Sequence, residues 1–198
     1  MPEQHGVRPA RAEEIDAMAH TMARAFRDDP LTTWLFPDAT RLSRRLPAFF
    51  RSLLRASFPL GAVYTTNGTR SVAIWNPPGT FPPGWWTDAR VGITTARLVG
   101  PRMVTCARGL LYFATHHPTE RHWYLQMLGT DPQWQGRGAG AEVMTPVLER
   151  CDREGERVYL ESSKERNIPF YARHGFEITA EIQVPRGPVV WAMWREPR

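Results

Sequence analysis

Residues 123–140, WYLQMLGTDPQWQGRGAG, limit what this chain can fold into more than any other stretch. The first eight are β-forming and apolar, and the run stops at Asp131-Pro132, because Pro132 has no N–H to give a sheet ladder. Gln135-Gly136-Arg137-Gly138-Ala139-Gly140 then passes directly into residues 141–153, where Val143, Val147 and Leu148 recur at helical spacing. The pattern is strand, glycine loop, helix. Such a junction presents unpaired backbone N–H groups and the positive end of a helix dipole, and its glycines let an anion reach the main chain with no Cβ in the way.

Three phosphate-binding loops share this outline. A dinucleotide fold places G-x-G-x-x-G near its first strand, with an acidic residue about 20 residues on; Gly136, Gly138 and Gly140 come late in the chain. A Walker loop needs Gly-Lys followed by Ser or Thr, and Lys164 is the only lysine. The spacing that does match is Q/R-x-x-G-x-G/A, with Gln135, Gly138 and Gly140 in its defining positions. Further on, Asn167, Tyr171, Gly175 and Phe176 form a second ordered segment. Together, in this order, the two segments resemble those of the GCN5-related N-acetyltransferases, in which the first is the acetyl-CoA pyrophosphate loop.

Composition narrows the alternatives. At 198 residues, with 42% hydrophobic and 23% charged, the chain suits one soluble domain over residues 1–198. No run approaches the ~20 apolar residues of a membrane span, and Met1-Pro2-Glu3-Gln4-His5 lacks the regions of a signal peptide. A cytoplasmic protein without a membrane partner is expected. Cys106 and Cys151 have no C-x-x-C or zinc spacing and are expected as reduced thiols. The net charge of +5 comes from dispersed arginines, so no nucleic-acid partner is expected, although the positive field favours an anionic ligand such as CoA. His116, His117 and His122 have no carboxylate or cysteine spacing around them; no metal is expected, and these read as packing or solvent-facing histidines.

Taken in order, residues 12–26 form a first helix, with Ile15, Met18, Ala19, Met22 and Phe26 along one face. Asp28-Asp29-Pro30 breaks it, and a loop is expected through Trp34-Leu35-Phe36-Pro37. Leu42, Leu46, Phe49, Phe50, Leu53 and Leu54 mark a second helix, with Pro47 near its start or at a kink. Residues 62–66 and 71–76 read as a hairpin across Asn67-Gly68. Trp85-Trp86, behind two Pro-Pro-Gly turns, is either a buried anchor or an acceptor-binding surface. Residues 87–117 are mostly helical with a break at Gly100-Pro101. Strand 158–161, helix 169–173 and strands 176–184 and 189–195 close the chain. No repeat or linker is visible, so the fold class is α/β, with a mixed sheet and flanking helices.

The family resemblance implies more than the pattern does. It implies a mostly antiparallel central sheet splayed at the acetyl-CoA site, and acetyl-CoA as the acyl donor. By its motifs, Gln135, Gly136, Arg137, Gly138, Ala139 and Gly140 would hold the pyrophosphate. Backbone N–H groups at Met127 or Leu128 would polarise the thioester, Asn167 would contact the pantetheine arm, and Tyr171 would be the general acid. Many relatives carry a glutamate on the central strand where this chain has none; Glu161 is the best remaining base, with a water chain as the alternative. Asp28, Asp29, Trp34 and Trp85 are candidate acceptor contacts. Similarity to the puromycin N-acetyltransferases, carried mostly by the C-terminal third, implies a small-molecule primary amine as acceptor, an aminonucleoside or amino-sugar antibiotic. Acetylation of a protein or peptide, or CoA binding by a regulator without catalysis, are the competing functions, and a homodimer is left open.

Overall fold

The computed structural model describes residues 6–80, 93, 96–97 and 99–198. Its frame is a seven-stranded sheet: β1 (Val7–Pro9), β2 (Val63–Thr66), β3 (Ser71–Asn76), β4 (Trp123–Thr130), β5 (Val158–Ser162), β6 (Glu177–Gln183) and β7 (Val189–Arg195). The order is β1-β2-β3-β4-β5-β7-β6, and every neighbouring pair is antiparallel except β4 with β5. The expected α/β fold with a mixed, mostly antiparallel sheet is the observed one.

Helices cover both faces because the central strands bury both. Along β3, Val72 and Ile74 point into one core while Ala73 and Trp75 point into the other. The first core is closed by α1 (Ile15–Ala25) and α3 (Ala39–Ser57). Met18, Ala19 and Met22 line α1 at helical spacing, and Leu46, Phe50, Leu53 and Leu54 do the same on α3, so each helix turns one apolar stripe to the sheet. Cys106, on α4 (Met103–Thr115), adds to this side. The second core lies under α5 (Ala139–Glu154), through Val143, Met144, Val147, Leu148 and Cys151, with Tyr171 of α6 (Ile168–Arg173) at its edge. Cys106 and Cys151 are thus free thiols buried in separate cores. No helix among the described residues is long and apolar enough to cross a membrane.

Two local expectations need correction. Pro30 does not open a loop: α2 (Pro30–Leu35) begins there, with Pro30 in the first turn and the Asp29 carboxylate accepting from Thr32 N at 2.9 Å. A proline cannot continue α1, yet its fixed φ suits the first turn of the next helix, so one residue both ends and starts. The β2–β3 turn is also longer than Asn67-Gly68, since Thr69 joins Gly68 in the left-handed region, with φ values of 52° and 72°.

One irregularity positions everything that follows. β4 and β5 pair only at Trp123↔Val158, Tyr124↔Tyr159 and Leu125↔Leu160, although β4 runs on to Thr130. On its other side β4 slips register against β3, from Ile74↔Met127 to Trp75↔Leu125, which leaves Gln126 as an extra residue. A bulge of this kind bends its strand and ends pairing. The sheet therefore forks after Leu125 and Leu160, which is the splay the family resemblance implied.

Candidate active site

At the fork lies a cavity of about 410 Å³, lined by residues that include Phe26 at the end of α1, Leu128, Gly138, Gly140, Asn167 and Tyr171. Its rim is built from main chain. Gly138 caps α5 with φ 91° and ψ −17°, a left-handed conformation in which a side chain costs ~1–2 kcal/mol. Gly140 serves differently: a Cβ there would stand 3.1 Å from Thr130 Oγ1, so its absence lets the helix begin against the end of β4. The first amides of α5 have no acceptor within the helix and point outward with its dipole. This geometry suits a pyrophosphate.

The side chains of the loop hold it rather than fill it. Gln135 Nε2 donates to the Thr130 carbonyl at 3.1 Å, closing the loop onto the strand. Asp131 accepts from Gln133 N at 3.1 Å and from Arg24 Nε of α1 at 2.7 Å, a tie that sequence reasoning missed. Arg137 is exposed, 5.0 Å from the Trp134 ring, and does not line the cavity.

Tyr171 is buried at the cavity wall, and burial, with Asp29 adding to it, pushes its phenol above the ordinary value. Its proton stays on at neutral pH. Leu128 lines the cavity, whereas Met127 packs into the α1–α3 core. Because successive strand residues direct their N–H groups to opposite edges, one of these two amides faces the fork.

Glu161 lies elsewhere. It is one residue past the last β4–β5 pair and shares a sheet face with Tyr159, opposite to that of Leu160 and Tyr171. It does not line the Tyr171 cavity. Its side chain is 3% exposed and its Oε1 is 3.4 Å from His117 Nδ1. His117 Nε2 is 3.2 Å from His122 Nε2, and the rings of Tyr124 and Tyr159 pack edge-on to His117. Burial first, and then Glu161, raises both phenols. Burial lowers the pKa of His122, with His117 contributing in the same direction. His117 and His122 are therefore packing histidines and not solvent-facing ones; His116 alone of the three is exposed. No cluster of metal-ligating side chains is found among the described residues.

The family model for the acetyltransferase (GNAT) family matches residues 48–176. The chain belongs to this family. It is 25% identical over 186 residues to an uncharacterized N-acetyltransferase of Schizosaccharomyces pombe, covering 88% of this chain and 75% of that one. Two solved structures share its fold. One is a histone acetyltransferase HPA2 and related acetyltransferase from Corynebacterium glutamicum, at TM-score 0.73 and 23% identity over 98% of this chain and 96% of that one. The other is the Drosophila melanogaster polyamine N-acetyltransferase, at TM-score 0.59 and 18% identity over 96% and 98%. This chain is an N-acetyltransferase that uses acetyl-CoA.

In this acetyltransferase the candidate acceptor contacts have other partners. Asp28 takes Lys164 Nζ and Arg166 Nη2, each at 2.5 Å, and although burial opposes it, these hydrogen bonds hold its carboxyl below the usual range. Its charge is already balanced. Asp29 is buried, caps α2 and accepts from the Ser163 hydroxyl, so it fastens the α1–α2 turn to the end of β5 while lining the Tyr171 cavity. Trp34 is half-buried, with Nε1 donating to the Arg186 carbonyl at 2.6 Å. Trp85, and Trp86 with it, lies outside the described residues.

Proposed function

We propose that this enzyme acetylates a primary amine of a small molecule by direct transfer within a ternary complex. The observation that carries the reading is the fork. A hydrogen-bonded sheet is a wall, and only where β4 and β5 part can a donor on the α5 face meet a group on the other face. The glycine loop and the cavity at the fork suit the donor, and Glu161 is the first residue of β5 past the fork, on the sheet face opposite to Leu160.

The chain's own residues supply the needs of acyl transfer. A strand amide at Met127 or Leu128 would donate to the carbonyl oxygen as charge develops on it. Asn167, at the cavity wall, would hold the pantetheine arm. Tyr171 would give its proton to the departing thiolate as the C–S bond breaks, and Glu161 would take a proton from the ammonium of the acceptor so that its nitrogen can attack. Residues 135–140 would bind the pyrophosphate mainly through the main chain.

For the acceptor, the likeness of Arg166-Asn167-Ile168-Pro169-Phe170-Tyr171 and of Leu160-Glu161-Ser162-Ser163 to the puromycin N-acetyltransferases supports an aminonucleoside or amino-sugar antibiotic. The Drosophila neighbour, which forms N-acetylagmatine, widens the class to aliphatic amines. The test is release of free thiol from acetyl-CoA with purified enzyme and a panel of puromycin, aminoglycosides, agmatine, polyamines and histone peptides. Turnover of a small amine is the expected result. Turnover of peptides alone would overturn the small-molecule assignment, and binding of CoA with turnover of nothing would favour a regulator.

A further inference from the structure

The protons of the buried cluster can be assigned from its outer end. The Glu120 main-chain carbonyl can only accept, so His122 Nδ1, 2.6 Å away, carries a hydrogen. A neutral His122 ring then offers a lone pair at Nε2, and His117 Nε2, 3.2 Å from it, must be the donor. His117 is left with Nδ1 facing Glu161 Oε1 at 3.4 Å, where one further proton has a place. The Tyr124 and Tyr159 hydroxyls approach the carboxylate, yet its other oxygen, Oε2, is buried with no partner at hydrogen-bonding geometry among the described residues. A buried acceptor in that state is costly unless something fills it. Glu161 is also the first residue of β5 beyond the last pair with β4.

We infer that Glu161 and His117 act as one proton-accepting pair for the acceptor amine, with His117 a positioning residue and His122 fixing its tautomer. This rests on the acyl-transfer reading above. The ammonium gives one proton to the place between Glu161 Oε1 and His117 Nδ1. Its freed lone pair forms the C–N bond, the C–S bond breaks, and the thiolate takes the Tyr171 proton. The second proton leaving the new amide nitrogen restores Tyr171, and the pair releases its proton to solvent after the products leave. The titratable groups facing the pair are Tyr124 of β4, Tyr159 of β5, and His122 with Glu120 just ahead of β4. Both phenols are held up by burial and stay neutral.

The experiment has two arms on the full chain. In the first, NMR follows the histidine rings against pH in wild type and E161Q, with no acceptor present. The carboxylate beside His117 favours its charged form, so the midpoint of His117 should fall in E161Q. In the second, kcat/KM is measured against pH with the best acceptor of the panel. It should rise with pH through the wild-type midpoint of the pair and fall by ~10²–10⁴-fold in E161Q, with the rise displaced in His117→Gln and CoA affinity within about twofold throughout. An unmoved His117 midpoint in E161Q, or a wild-type pH profile in that variant, overturns the pair. Failure of wild type to acetylate any amine overturns the acyl-transfer reading instead, and leaves the ring titration to decide whether Glu161 and His117 share a proton.

Discussion

The two sides of the fork are built from different materials. On the α5 side the site is mostly backbone: left-handed glycines, the first turn of a helix, and a strand edge without its neighbour. On the other side it is mostly side chain: Glu161, His117, His122, Tyr124 and Tyr159, drawn from β5, the segment after α4, and β4. A backbone site tolerates exchange of its side chains and fails when its conformation changes. A side-chain site does the reverse. The contrast suits the chemistry, since a pyrophosphate needs only N–H groups and a dipole, whereas moving a proton needs groups that titrate.

Substitutions can break this contrast. The largest effect among residues lining the cavity is expected at Tyr171→Phe, which removes a hydroxyl and should lower turnover by ~10²-fold while leaving CoA affinity nearly unchanged. Turnover within twofold of wild type, with chemistry rate-limiting, would make Tyr171 a packing residue. Next comes Gly138→Val, which forces a β-branched residue to φ 91°. With Val the free loop relaxes out of this strain of ~1–2 kcal/mol and turns its amides away, and CoA must restore them, so binding read by calorimetry should weaken by up to about tenfold; unchanged affinity would move the phosphate site away from this loop. Arg137→Ala should change CoA affinity by no more than about twofold, because the main chain does the binding. A tenfold loss there would show that side chains share the work.

The smallest expected effect is on fold stability across the assay range, and it keeps the kinetic pH profile readable. The Arg8 hydrogen bond, against the opposing cost of burial, lowers Glu14 to about 2, and Arg195 holds Asp152 below its usual range. Both contribute stability that is present above the ordinary carboxylate pKa and lost as pH falls through their folded values. His122, lowered by burial, contributes stability present above its ordinary 6.5 and lost below its folded value. The Tm should thus be flat above about pH 7, sag slightly below it, and fall steeply only in the carboxylate range. Cys151, pushed by burial up to about 12, should resist thiol reagents at neutral pH until the chain unfolds, so the thiol-release assay carries no background from it. Rapid labelling of native Cys151 would contradict its burial.

What was legible in the sequence was local. β4 ends at Thr130 because Pro132 follows closely, and the glycines after it announce the turn into α5. The hairpin and the two closing strands were legible for the same reason. α2 was missed because Asp29-Pro30 signals both an end and a beginning, and only the packing of Leu35 into the first core decides which prevails. The histidine cluster could not be read, since His117 and Glu161 are 44 positions apart and meet only through the register of β4 against β5. Its one trace was the approach of three histidines to the start of a strand carrying Tyr124, with Tyr159 directly opposite.

A donor at the fork and the glycine loop, held by main chain, would leave its mark on the amides it touches. Backbone amide NMR of the enzyme titrated with CoA tests this placement most directly. The largest amide shifts are expected at Met127 or Leu128 and at residues 136–141, with little change at Tyr124 and Leu125, where β4 is paired on both sides. Shifts confined to other segments, or none at millimolar CoA, would contradict it.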